Sequence, residues 1–201
     1  MTVLLVNGSP HSNGNTARAL EEIAGTLAAE GLGTETLWIG VKPVRGCIAC
    51  GRCQSETPGR CAFDDDPANR IAEKMADADG LVLGAPVYYG QPAGQLLAVV
   101  QRVCFASGKS VAGKPVACVA VCRRGGATAA YQCMTMPFEM LECPAIRHLR
   151  KLGLEPSPHI CLQTSEVNAG MCEGTPWESS LEILGEGHCV QCFKKVRGPR
   201  S

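Results

Sequence analysis

The chain has 201 residues, 45% of them hydrophobic and 19% charged, with 19 basic residues balancing 19 acidic ones. That length supports one ordinary globular core, and zero net charge removes the usual electrostatic reason to bind nucleic acid or an anionic membrane surface. No apolar stretch approaches the length of a transmembrane helix, and no basic region followed by a long apolar segment marks an export signal, so a soluble cytoplasmic protein without membrane or nucleic-acid partners is expected.

Residues 3–6 form a continuous apolar run, which fits a strand covered on both faces. A helix follows with Asn15 or Thr16 as N-cap and an apolar stripe of Ala17, Leu20, Ile23, Ala24, Leu27 and Ala28, stopped by Gly31. Residues 34–39 read as a second strand. The next helix starts near Asp66 and Pro67 and turns Ile71, Met75 and Ala78 inward. A third strand, 81–83, runs into Gly84, Ala85, Pro86, Val87, Tyr88, Tyr89 and Gly90. Residues 92–106 form a helix with Leu96, Val99, Val100 and Val103 buried. A fourth strand at 115–121 precedes Arg123, Arg124, Gly125 and Gly126 and a helix from about 128 to 141. Strands alternating with helices predict a parallel sheet with helices on both faces, an α/β three-layer sandwich. Right-handed crossovers then leave the flavodoxin-like strand order 2-1-3-4-5 as the simplest solution.

The pattern weakens beyond residue 141. Five of the 13 cysteines and three of the four histidines lie past position 142 among scattered Gly and Pro. The division expected is therefore a domain over 1–141, with a cysteine-bearing insertion at 46–62, and an atypical segment over 142–201 that carries the fifth strand near 154–164. A reading-frame shift near residues 141–145 would produce this change of texture. It predicts that an alternate downstream frame of the gene encodes an apolar strand.

The turn after the first strand reads Gly8, Ser9, Pro10, His11, Ser12, Asn13, Gly14, Asn15, Thr16. A strand that ends in small polar residues and opens into a helix makes an anion site, because the first helical N–H groups point outward with partial positive charge. The loop lacks the Gly-Lys-Ser/Thr ending of a nucleoside-triphosphate site and the glycine spacing of a dinucleotide site. A lysine-free cradle of neutral donors suits a terminal monophosphate and points to FMN. His11 either donates to the phosphate or is a solvated loop histidine.

In an open parallel sheet, ligands bind at the carboxyl ends of the strands. Two more loops belong to that edge: residues 86–90, with two tyrosines to cover a planar ring, and residues 123–128, where two glycines permit close backbone approach. Cys47, Cys50, Cys53 and Cys61 follow the second strand with spacing C-x2-C-x2-C-x7-C. Three readings stand: a cubane iron–sulfur cluster, a four-cysteine zinc site, and unligated thiols. Arg45, Arg52 and Arg60 would favour thiolates there. Cys104, Cys118, Cys122 and Cys133 sit in apolar segments as small core residues. His188 with Cys189 and Cys192 is a lone C-x2-C pair, a weak metal signal.

The Gly8-to-Thr16 turn, the Ala85-to-Gly90 segment and Arg123 to Gly126 together resemble the NADPH-dependent FMN reductase group of flavodoxin-like proteins. The cysteine segment resembles that of its iron–sulfur flavoprotein branch. The resemblance implies that Ser9, His11, Asn13, Gly14, Asn15 and Thr16 hold the FMN phosphate. It places Pro86, Val87, Tyr88, Tyr89 and Gly90 against the flavin ring, with Arg124, Gly125 and Gly126 at its far edge. It assigns Cys47, Cys50, Cys53 and Cys61 to a [4Fe–4S] cluster, and implies a homodimer or homotetramer.

The function expected is an FMN-dependent oxidoreductase, with NAD(P)H or a redox partner such as ferredoxin as donor. No catalytic acid or base is assigned, since the flavin carries the chemistry. The alternatives are a cluster-free NAD(P)H-dependent flavin or quinone reductase, a non-catalytic electron carrier, and a redox-sensing module.

Overall fold

Every residue from Val3 to Val6 is at most 1% exposed, as a strand sandwiched between helix layers requires. The computed structural model describes residues 1–123 and 125–144. Their elements are β1 (Thr2–Asn7), α1 (Asn15–Ala29), β2 (Gly33–Trp38), α2 (Arg52–Ser55), α3 (Ala68–Asp77), β3 (Gly80–Tyr88), β4 (Gln91–Pro92), α4 (Gly94–Val111), β5 (Val116–Val121) and α5 (Ala127–Glu139). β1 pairs in parallel with β2 and β3, and β3 pairs in parallel with β5. The order β2-β1-β3-β5 is the expected flavodoxin-like order for the first four predicted strands. The fifth, at 154–164, and the Cys189/Cys192 pair lie outside the described residues.

The core divides across the sheet. On one face Ile71 and Met75 of α3, Leu96, Val99, Val100 and Val103 of α4, and Tyr131, Met134 and Phe138 of α5 pack on Leu4, Val6, Leu81, Leu83 and Val116. On the other, Leu20, Ile23 and Leu27 of α1 pack on Val3, Leu5, Val82 and Val119. Each fully buried leucine or valine contributes roughly 1.5–3 kcal/mol relative to exposure. Among the described residues no helix is long and apolar enough to cross a membrane.

Several boundaries differ from the sequence reading. Gly14, not Asn15 or Thr16, is the N-cap of α1; Thr16 and Ala19 join its buried face while Ala28 is exposed. β3 continues past residue 83 to Tyr88, because Gly84 and Pro86 still pair with Val119 and Val121 of β5. Glycine is needed at position 84 for packing: a Cβ there would stand 3.0 Å from Thr16 Cγ2 and 3.1 Å from Leu20. Residues 91 and 92 pair with Tyr88 and Val87 as β4, which delays α4 to Gly94.

Two core thiols are held in the neutral form. Burial, with the neighbouring Cys143 adding to it, pushes the Cys104 thiol up from 9.0 to about 12, and burial pushes Cys118 up as well. A folded-state pKa above the unfolded value means the stabilisation is complete below pH 9 and is lost as pH climbs towards 12. Urea midpoints under reductant are therefore expected to fall steadily above about pH 9, and Cys104→Ala to flatten part of that fall. Identical slopes for the two proteins would refute the assignment.

Candidate functional site

Asn7, at the end of β1, builds the turn that follows. Its side chain is 2% exposed; the carboxamide oxygen accepts from Ser9 N–H (3.0 Å) and the amide donates to Ser12 C=O (3.4 Å). Ser9 is buried too, its hydroxyl accepting from His11 N–H (3.1 Å), so it shapes the loop from inside. The Trp38 indole at the end of β2 donates to Ser9 C=O (2.8 Å) and ties the loop to its neighbouring strand. The side chains of His11, Ser12, Asn13 and Asn15 face out. Gly14 caps α1 in extended conformation and no side chain caps the helix. The first-turn N–H groups are thus left to the loop's open side, where a dianionic phosphate fits.

The second loop is a hairpin turn. Val87 pairs with Pro92 and Tyr88 with Gln91, and both central residues, Tyr89 (φ +49°) and Gly90 (φ +79°), are left-handed, the signature of a type I′ turn. Tyrosine seldom adopts that conformation, and here its ring is fully exposed, with Tyr88 half-exposed beside it. The third loop meets the second directly. Gly126 (φ +89°) is the N-cap of α5, and a Cβ on it would lie 2.6 Å from Gly90 Cα and 3.3 Å from Val87 Cγ1. Backbone thus packs on backbone at the sheet edge. Arg124 lies outside the described residues; Arg123 and Gly125 are exposed.

The cysteine segment leaves the same edge but runs along α4. Gln95 donates to Lys42 C=O (3.0 Å) near the start of that helix, Gln54 to Phe105 C=O (2.9 Å) and Ser107 to Gly59 C=O (2.7 Å) farther down. Cys47, Cys50, Cys53 and Cys61 line one small open cavity, with about 20 Å³ of room for water, whose walls include Ile48, Phe63, Arg102 and Phe105. At 1.5 Å of rise per residue, the wall at residues 102–106 lies roughly 12–18 Å down α4 from the sheet edge. Within one chain, then, the thiols sit apart from the turn between β1 and α1 rather than against it.

The four thiols are held unequally. Cys47 and Cys50 are exposed, in a stretch where Ala49 (φ +53°) and Gly51 (φ +72°) turn the chain tightly; Gly46 takes no such conformation. Cys53 is buried on the unpredicted short helix α2. Cys61 is clamped by Asn69, itself 2% exposed, which accepts from Cys61 N–H (3.1 Å) and donates to Cys61 C=O (2.9 Å) and Phe63 C=O (3.1 Å). Asn69 also donates to Asp64; that bond and the Arg60 guanidinium hold the Asp64 carboxyl below its ordinary range.

Arg45, Arg52 and Arg60 each turn to another partner, although Arg52 stays within electrostatic reach of Cys50. Arg52 pairs with Glu56 (2.7 Å), Arg60 with Asp64 (2.9 Å) and Glu73, and Arg45 stacks over Phe63 (4.6 Å) near Asp65. The arginine that reaches a sulfur is Arg102 of α4, whose Nε lies 3.3 Å from Cys61 Sγ. It is 2% exposed and ion-paired with the equally buried Asp66. Burial lowers its pKa, but bonds to Cys61 and Asp66 outweigh that and leave it raised.

A doubly wound parallel sheet in the order β2-β1-β3-β5, with an open turn between β1 and α1 at its carboxyl edge, defines a flavodoxin-like α/β protein. A flavodoxin from the domain Archaea superposes with a TM-score of 0.57 at 12% identity, over 98% of this chain and 100% of that one. A flavoenzyme NAD(P)H:(acceptor) oxidoreductase from Paracoccus denitrificans does so with a TM-score of 0.56 at 17% identity, over 97% and 98%. Residues 1–150 match the family described as NADPH-dependent FMN reductase, and the chain belongs to that family. An iron–sulfur flavoprotein of Methanocaldococcus jannaschii is 38% identical over 102 residues, 51% of each chain. Another, of Methanosarcina thermophila, is 33% identical over 114 residues, 57% of this chain and 58% of that one. The matched regions thus span about half the length of these curated relatives.

Proposed function

We propose that the chain is an FMN-dependent oxidoreductase whose cysteine segment holds a [4Fe–4S] cluster. The observation that carries the second half is that Cys47, Cys50, Cys53 and Cys61 line a single cavity with largely apolar walls. Yet among the described residues no three His, Cys, Asp or Glu side chains converge as a single metal ion would require. The spacing C-x2-C-x2-C-x7-C, rather than the two separated C-x2-C pairs usual for a four-cysteine zinc site, favours the cluster over zinc. The names of the relatives agree with this reading.

When bound, FMN supplies hydride and single-electron chemistry, and the cluster single-electron chemistry alone. The chain's own contribution is binding and orientation. The α1 N-terminus with His11, Asn13, Gly14 and Asn15 holds the phosphate, in a turn that the buried Ser9 and Thr16 shape from inside. Residues 86–90 seat the ring, and Arg124, Gly125 and Gly126 close its far edge. NAD(P)H or a ferredoxin-like protein delivers electrons, and a homodimer or homotetramer is the assembly that fits the family.

Anaerobic purification after reconstitution with iron and sulfide tests both halves. The expected product carries about one FMN and about four iron and four sulfide per chain. Folded protein that takes up no FMN would sink the flavin assignment. FMN without iron would sink the cluster and leave a flavin or quinone reductase.

A further inference from the structure

An arginine on the inward side of a helix is costly unless every charged group finds a partner. Arg102 lies on α4 three residues after Val99, with a side chain 1% exposed, and its nitrogens are committed to the cysteine segment. One terminal nitrogen binds Asp66 and Arg45 C=O, the other binds Phe63 C=O, and Nε donates to Cys61 Sγ at 3.3 Å. The bonds to Asp66, Arg45 and Phe63 are enough to fasten the segment to α4. The remaining bond goes to a side-chain sulfur that lines the cavity, not to the segment's backbone or its carboxylate. Among the described residues, it singles out Cys61 as the cavity thiol that a buried cation touches.

We propose that Arg102 is a positioning residue for the redox centre: it aims the Cys61 sulfur into the cavity and raises the centre's reduction potential. This rests on the cluster reading above. A hydrogen bond and a positive charge at a ligand sulfur both draw electron density from it, and both favour the state that holds one more electron. Asp66 lies on the far side of the guanidinium and keeps its fork fixed. Asn69 fixes the Cys61 backbone independently, so sulfur direction and loop anchoring are separable.

The test compares anaerobically reconstituted wild type, Arg102→Lys and Arg102→Gln by iron, sulfide and FMN content and by potentiometric titration followed by electron paramagnetic resonance. Arg102→Lys keeps the charge but not the fork; it is expected to retain iron and FMN with a more negative cluster potential and altered resonance. Arg102→Gln is expected to shift the potential further in the same direction. If either single variant fails to fold, the double variant Arg102→Leu/Asp66→Leu, which buries no charge, is read instead and should show the same negative shift. Full iron content with an unchanged potential and spectrum would overturn the role and leave Arg102 a structural strut. A wild type that binds FMN but no iron would overturn the cluster reading, and this role with it.

Discussion

Gly126→Val is expected to weaken FMN binding by roughly 10- to 100-fold while leaving the sheet and its helices intact. Two costs coincide at this position. Its φ of +89° is a conformation that a β-branched residue adopts only under strain, about 1–3 kcal/mol. The new Cβ would also stand 2.6 Å from Gly90 Cα, and overpacking of that kind costs about 1–3 kcal/mol. Because the opposing atom is backbone, no rotamer change relieves the contact. The hairpin at Tyr89 and Gly90 must move away from the start of α5, and those are the two loops assigned to the flavin ring. Every 1.4 kcal/mol of loop displacement that ligand binding must reverse is a factor of ten in Kd. Titration of apoprotein with FMN, followed by flavin fluorescence, measures the effect. Gly25→Ala, where an added Cβ meets nothing within 4 Å on α1, should instead stabilise by about 0.5–1 kcal/mol. FMN binding by Gly126→Val as tight as wild type would mean that these loops do not hold the ring.

The parts of this molecule that repeat a period were legible before the structure was known, and the parts that depend on one distant partner were not. Val3 to Val6 read as a strand covered on both faces, and the stripe at Leu96, Val99, Val100 and Val103 read as an inward helix face. The order of the sheet followed from alternation and handedness. Gly84 and Pro86 broke the apolar run and read as the end of a strand, although glycine is there because α1 packs so close. The cysteine spacing showed that four thiols could share a site, but it could not say how they are held. Arg102 meets Cys61 across 41 residues and Asp66 across 36, and no local pattern encodes such pairings. A signal did exist. An arginine three residues after Val99, inside an apolar stripe, needs a counter-charge, and the run Asp64, Asp65, Asp66 begins three residues after Cys61.

That counter-charge yields the largest stability effect. Asp66→Asn is expected to destabilise the protein by about 3–5 kcal/mol, the cost of leaving a buried charge without its partner. The shape of the side chain is preserved, so the loss reports charge rather than packing. Asp66 and Arg102 side chains are 3% and 1% exposed, and solvent cannot substitute for either. For a protein of this size the change corresponds to a fall in Tm of roughly 6–20 °C. The exposed Arg60–Asp64 pair, with side chains 44% and 63% exposed, is the contrast: solvent already screens it, so Asp64→Asn should cost far less than Asp66→Asn. Removing both buried charges in Arg102→Leu/Asp66→Leu should recover most of the loss, since a buried ion pair and an apolar pair are often close in free energy. A residual deficit of about 1 kcal/mol is expected, because Asp66 also accepts from Ala68 N–H (3.0 Å) ahead of α3. Urea unfolding of the flavin-free protein at neutral pH measures all three against the wild type. A loss below about 1 kcal/mol for Asp66→Asn would mean that water reaches the pair. The segment carrying Cys61 would then lie open in solution, not fastened to α4.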